Sequence, residues 1–130
     1  MVEAVPEIHC LRDPTRGGLA TTLNELAHQS GVGIRIRESA IPVRPEVAAA
    51  CELLGLDPLY VANEGKLVAI CPADRGVVLL RAMRAHPLGR DAARIGEVVE
   101  DDHRFVQMET RFGGSRIVDW LAGEQLPRIC

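Results

Sequence analysis

Apolar positions along the chain change period several times, and each change marks an element. Leu19, Leu23, Leu26 and Ala27 recur at helical spacing, so the stretch ending at Gly31 predicts an amphipathic helix. Val32, Ile34 and Ile36 then alternate with Gly33, Arg35 and Arg37, the two-residue period of a half-buried strand. Pro45 suits the first turn of a helix through about Leu54, which Gly55 ends. Residues 57–65 mix apolar and turn types and read as a structured loop. Residues 67–71 form an apolar run that predicts a buried strand. Residues 73–86 carry Val77, Val78, Leu80, Ala82 and Met83 and predict another long helix. Residues 93–99 and 104–110 read as strands joined by a hairpin turn at Glu100-Asp101-Asp102-His103. Gly113-Gly114 marks a further turn, and residues 116–120 are either one more strand or a helical turn.

The order is helix, strand, helix, strand, helix, then two or three strands. A hairpin is antiparallel, so the expected class is α+β, with a mixed β-sheet flanked by helices. Residues 1–122 are expected to form one domain. From Gly123 the chain turns polar, with Gly and Pro, and residues 123–130 read as a flexible tail.

Composition narrows the function. A chain of 130 residues with 47% apolar and 25% charged content is large enough for one substantial core. Its aromatic residues are Tyr60, Phe105, Phe112 and Trp120, too few to stack on single-stranded nucleic acid. A net charge of −3 argues against a phosphate-backbone binder. No signal peptide and no bilayer-length apolar stretch is present, so a cytoplasmic protein that binds neither nucleic acid nor membrane is expected. Cys10, Cys51, Cys71 and Cys130 form no CxxC pair, which gives a metal site no local support. A disulfide framework is not expected in the cytosol. Cys51 and Cys71 sit in apolar runs and are expected to be buried small hydrophobes. Lys66 is the single lysine among fifteen basic residues, which draws attention to its surroundings.

Three segments bear chemistry. Asp13-Pro14-Thr15-Arg16-Gly17-Gly18 opens directly into the first helix. Free N–H groups at a helix start favour phosphate, and glycines admit a close ligand. Equally, Asp13 or Thr15 serves as an ordinary helix cap, and capping is the favoured reading of the segment alone. Asn63-Glu64-Gly65-Lys66 precedes the predicted strand at 67–71. If that strand begins early, Glu64 and Lys66 project to one face, where a carboxylate beside a lysine suits a general base. A surface ion pair is the simpler reading of the same spacing. Cys130 is the last residue, where chain ends fray unless tied down. A thiol on a tether of roughly 25 Å, from Gly123 at about 3.3–3.6 Å per residue, has the reach of a covalent carrier. His28 and His103 are expected to be solvated, and His9 is a weak candidate near the Asp13 segment.

Four segments together resemble one family: Arg12-Asp13-Pro14-Thr15-Arg16-Gly17-Gly18-Leu19-Ala20, Ile41-Pro42-Val43-Arg44, Tyr60-Val61-Ala62-Asn63-Glu64-Gly65-Lys66-Leu67, and Pro127-Arg128-Ile129-Cys130. They are similar to the C-terminal part of the hydrogenase maturation proteins HypE, the carbamoyl dehydratases. These belong to a superfamily with aminoimidazole ribonucleotide synthetase, selenophosphate synthetase and thiamine-monophosphate kinase. The resemblance implies the C-terminal domain of that synthetase-like fold. It implies that a carbamoyltransferase, HypF, loads Cys130, and that ATP with magnesium drives dehydration of the thiocarbamate to a thiocyanate. A HypC–HypD scaffold then receives the cyano group as a cyanide ligand for [NiFe] hydrogenase. It places the base at Glu64, with Asn63 and Lys66 in support, and sets Asp13, Thr15, Arg16, Gly17 and Gly18 beside the nucleotide.

The family's N-terminal domain, with most of its ATP and magnesium contacts and a homodimer interface, has no counterpart here. The chain is therefore expected to fold but to be inactive alone. Two alternatives stand beside this one. The chain is a non-catalytic carrier presenting Cys130, or it is the C-terminal half of another ATP-using member of the superfamily.

Overall fold

The computed structural model describes residues 1–120. Cys130 and the tail at 123–130 lie outside the described residues. The elements are β1 (Cys10–Arg12), α1 (Gly18–Ser30), β2 (Gly33–Arg37), α2 (Pro45–Leu54), β3 (Val68–Ile70), α3 (Gly76–Arg84), β4 (Gly96–Val99), β5 (Val106–Glu109) and β6 (Ser115–Ile117). Short 3₁₀ turns precede or link several of them, including Pro58–Tyr60 and Ala73–Arg75. The class is α+β, as the order of elements implies. The strands, however, form two sheets rather than one.

The larger sheet has the order β4-β2-β5-β6. β2 runs antiparallel to β4 and parallel to β5, and β5 pairs antiparallel with β6 across the Gly113-Gly114 turn. The sheet is thus mixed, but not for the reason the sequence suggested. Residues 100–103 do not close a hairpin, because β2 lies between β4 and β5. Asp101 explains the difference. Its carboxylate accepts from the His103 N–H at 3.0 Å and the Phe105 N–H at 3.2 Å, which wraps the chain around the end of β2. The crossing is close: a Cβ on Gly33 would lie 2.6 Å from the Asp101 Cβ. The Ile34 N–H then donates to the Phe105 carbonyl at 3.0 Å and starts the parallel ladder.

α1 covers one face of this sheet. Ala20, Leu23, Leu26 and Ala27 meet Ile34, Ile36, Val106, Met108 and Val118, and Leu59 joins from the 58–60 turn. The opposite face presents exposed Arg35, Arg37, Glu97, Gln107 and Glu109. Gly31 ends α1 in the left-handed region at φ 68°, as the stop residue predicted. Helix α2 matches its predicted bounds and buries only Cys51.

The second sheet is a two-stranded antiparallel ladder of β1 and β3, with Cys10 opposite Ile70 and Arg12 opposite Val68. The sequence pattern missed β1. It also overstated β3, a three-residue strand that is half-buried while Leu67 is 44% exposed. A strand paired on one side only cannot be enclosed as a central strand is. Cys71, just past β3, is half-buried for the same reason.

Candidate functional site

The ladder brings the two chemical segments together. Antiparallel pairing puts the exit of β1 and the entrance of β3 at one end. Residues 13–18 leave that end, and residues 63–67 enter it. Two contacts fix them to each other. The Asn63 N–H donates to the Pro14 carbonyl at 3.1 Å. Gly18, buried at φ 63°, sits so close beneath the 59–61 backbone that a Cβ would lie 2.5 Å from the Leu59 carbonyl oxygen and 2.6 Å from that of Val61. Glycine is required there on both counts.

The capping expectation for Asp13 and Thr15 is not met. Gly17 holds the cap position at φ 65°, and no side chain caps α1. Thr15 Oγ1 instead donates to Asp13 Oδ2 at 2.7 Å, so the two polar side chains engage each other. That hydrogen bond, with a backbone one and the Arg12 charge, holds the Asp13 carboxyl below its ordinary range. The first N–H groups of α1 consequently keep no side-chain partner, and Arg16 stands exposed beside them.

Gly17 forms part of a cradle, since a Cβ there would run into the Thr21 side chain. Thr21 Oγ1 is itself buried without a hydrogen-bond partner among the described residues. An uncapped helix start, two left-handed glycines, an orphaned hydroxyl and a free-standing arginine fit a phosphate group. The described residues contain no group of three His, Cys, Asp or Glu side chains able to hold a metal ion.

Asn63, Glu64 and Lys66 are all exposed at this edge. The strand does not begin early enough to align Glu64 with Lys66. Glu64 and Gly65 form a turn, with Gly65 at φ 70°, and β3 starts only at Val68. Nor do Glu64 and Lys66 form an ion pair. Glu64 is therefore presented on a turn beside the helix start, not paired on a strand face. His9 does not join the site: it lies at the opposite end of the ladder, where its N–H donates to the Ile70 carbonyl at 2.8 Å, whereas His28 and His103 are exposed as expected.

Two residues to which the sequence reading gave no role tie the region to the end of the described chain. Tyr60 Oη donates to the Asp119 carbonyl at 2.9 Å, and burial raises the phenol above its ordinary 10.0. Asn24 Nδ2 donates to the Val118 carbonyl at 2.9 Å. A signal for Asn24 was available: it lies four residues after Ala20, on the stripe that α1 buries. A cavity of about 250 Å³ between α2 and the sheet, lined in part by Cys51 and Met108, includes no residue of 13–18 or 63–66. No helix among the described residues is long and apolar enough to cross a membrane.

Comparison with known proteins identifies the family. Residues 2–109 match the family model of the AIR synthase related protein, C-terminal domain. The carbamoyl dehydratase HypE of Azotobacter vinelandii is 77% identical over 130 residues, all of this chain and 38% of that protein. That of Cupriavidus necator is 72% identical over 130 residues, all of this chain and 37% of its own length. A crystal structure of the hydrogenase maturation protein HypE in complex with ATP superimposes with a TM-score of 0.88 at 52% identity, covering 95% of this chain and 38% of that one. A HypE–HypF complex matches with a TM-score of 0.86 at 44% identity, covering 92% of this chain and 38% of that one. The chain thus spans less than two-fifths of the relatives it matches. It belongs to the family of AIR synthase related proteins as their C-terminal domain, and along its whole length it is similar to the HypE carbamoyl dehydratases.

Proposed function

We propose that this chain is the tail-bearing part of an ATP-dependent carbamoyl dehydratase, with residues 1–122 as its domain and 123–130 as the segment that carries Cys130. The observation that carries the proposal is the Asn63–Pro14 hydrogen bond together with the seat of Gly18 under residues 59–61. These put a solvent-facing carboxylate and a phosphate-suited helix start on one edge. Relatives named carbamoyl dehydratase and solved with ATP support the assignment.

The chemistry follows from what each group supplies. The Cys130 thiolate takes a carbamoyl group from a HypF-type transferase, forming an S–C bond; the HypE–HypF complex supports that partner. The loaded tail enters the edge. ATP transfers its terminal phosphoryl group to the carbamoyl oxygen, which turns a poor leaving group into phosphate. The nitrogen gives up one proton to solvent as the O-phosphorylated imidate forms, and Glu64 accepts the second as the C–O bond breaks and phosphate departs. Cys130 is left with a thiocyanate, one water lighter than the thiocarbamate. Asn63 holds the Glu64 turn through its backbone, and Lys66 adds positive charge nearby. Gly17, Gly18, Arg16, Thr15 and Asp13 border the phosphate. Magnesium would accompany the ATP, with most of its contacts supplied by the part of the relatives that this chain does not span. The cyano group passes to a HypC–HypD acceptor for [NiFe] hydrogenase. The assembled protein is a homodimer of the cytoplasm, and this chain alone is inactive.

The second reading is a carrier that presents Cys130 and does no chemistry. Mass spectrometry of Cys130 separates the two. The chain is incubated with HypF, carbamoyl phosphate and ATP, with and without the remaining N-terminal portion of a HypE relative. Loading in both arms with water loss only when that portion is present is the expected result. Loading without water loss in either arm supports the carrier, and an unmodified Cys130 throughout eliminates both.

A further inference from the structure

Two polar side chains that the proposed chemistry leaves unused hold the last described residues in place. Asn24 is buried on α1, 6% exposed, and its amide donates twice, to the Ala20 and Val118 carbonyls, both at 2.9 Å. Val118 is fully buried, and its own N–H donates to the Val106 carbonyl at 2.7 Å, one step past the end of β6. Tyr60 Oη then takes the next carbonyl, that of Asp119, at 2.9 Å. Trp120 meets His28 edge-on, with ring centroids 6.2 Å apart. Consecutive carbonyls are thus held by side chains from two separate elements.

The Tyr60 bond is not explained by the core. Asp119 is exposed, and water would satisfy its carbonyl as well, so the bond adds little net stability. What it supplies is a fixed origin for the chain that follows. Ten residues follow Trp120, ending in Cys130, a reach of at most about 33–36 Å when extended. Asn24 lies six residues along α1 from Gly18, about 9 Å at helical rise, and His28, on which Trp120 packs, lies ten residues from it, about 15 Å, well within that reach. Tyr60 also belongs to the turn whose backbone closes over Gly18. One short turn therefore faces the root of the C-terminal segment with its side chain and the helix start with its backbone.

We infer that Tyr60, with Asn24, is a positioning residue that clamps the root of the C-terminal segment beside α1 and so directs Cys130 to the edge formed by residues 13–18 and 63–66. The inference rests on the reading that Cys130 is processed at that edge. It adds a role for residues that touch neither nucleotide nor thiol. The effective concentration of a tethered group depends on where its tether starts and how long it is. Freeing residues 118–120 lengthens the tether from ten residues to thirteen and releases its origin.

The test uses the 130-residue chain carrying Cys10→Ser, Cys51→Ala and Cys71→Ser, with a nitroxide on Cys130. Paramagnetic broadening of the Gly17, Gly18, Glu64 and Gly65 amides is compared with and without Tyr60→Phe. The clamp predicts that Tyr60→Phe reduces this broadening about twofold or more while the unfolding midpoint stays put. Equal broadening in both, or none in the chain that keeps Tyr60, overturns the inference. Trp120, the single tryptophan, gives a second reading in the chain with all its cysteines. Acrylamide quenching should rise with Tyr60→Phe, and unchanged quenching counts against the clamp even if the cysteine-substituted chain fails to fold. Failure of the chemistry is read separately: intact broadening with no water loss at Cys130 removes the dehydratase reading and leaves the clamp standing.

Discussion

The two sheets divide the labour of the molecule. The four-stranded sheet packs Ile34, Ile36, Val106 and Met108 against α1, each of them 4% exposed or less. The β1–β3 ladder has only half-buried or exposed strand residues, yet both chemical loops spring from its end. An isolated two-stranded ladder is marginal in water, so this one depends on its attachments. The contrast teaches that the stable layer fixes where α1 begins, while the weaker ladder presents the loops to which we assign the chemistry. Such low-stability regions are where binding loops are commonly found.

The sharpest way to break this contrast is to damage each sheet alike. Ile36→Ala, at a site 1% exposed, should cost about 2–5 kcal/mol. Ile70→Ala on the half-buried ladder should cost about half that or less, since less area leaves water. Urea denaturation of the two variants measures both. Equal losses would mean that the ladder is as much core as the larger sheet.

Gly18→Ala strikes the joint between the layers. A methyl group there meets two carbonyl oxygens at a left-handed φ, which should cost about 1–3 kcal/mol. Faster amide exchange should follow in residues 59–64, because the loop must lift away. Stability loss with no change in that exchange would argue that the loop is held elsewhere.

Much of the larger sheet was legible in the sequence because its elements are written in local periodicity. α1, β2 and α2 follow from apolar spacing and from the stop glycines Gly31 and Gly55. The crossing at residues 100–105 was not legible, because it depends on Asp101 meeting Gly33, residues far apart in sequence. β1 escaped notice since Cys10-Leu11-Arg12 has no alternation long enough to read. At the site, the motifs themselves were visible, and resemblance supplied their roles. Their juxtaposition was not visible, because the Asn63–Pro14 bond exists only once β1 and β3 pair. The capping expectation failed because Thr15 found Asp13 before either reached α1.

Acid provides a gentler comparison of the layers. The N–H of His103, followed by that of Phe105, holds the Asp101 carboxyl below its ordinary 3.8, and the Thr15 hydroxyl does the same for Asp13. A depressed carboxyl contributes stability above its ordinary value and loses it as pH falls through the folded value. Stability should therefore decline from about pH 5 toward pH 2. Asp101→Ala should flatten that decline more than Asp13→Ala, since Asp101 wraps the chain around β2 whereas Asp13 bonds only within its loop. Parallel acid titrations of the two variants decide it.

Lys66→Met should do least to the fold, changing stability by less than about 0.5 kcal/mol, because Lys66 is exposed and unpaired with Glu64. Thermal unfolding checks this, and a larger loss would reveal a structural role for the lysine.

Glu64→Gln tests the chemistry most directly. With Cys130 loaded and the ATP-binding portion of a relative supplied, the conversion of thiocarbamate to thiocyanate is followed by mass spectrometry in a single turnover. Removal of the base should slow water loss by about 10²-fold or more, while carbamoyl loading and the unfolding midpoint stay unchanged. Water loss at the unsubstituted rate would show that the proton leaves by another route and that the edge of the ladder is not where the reaction occurs.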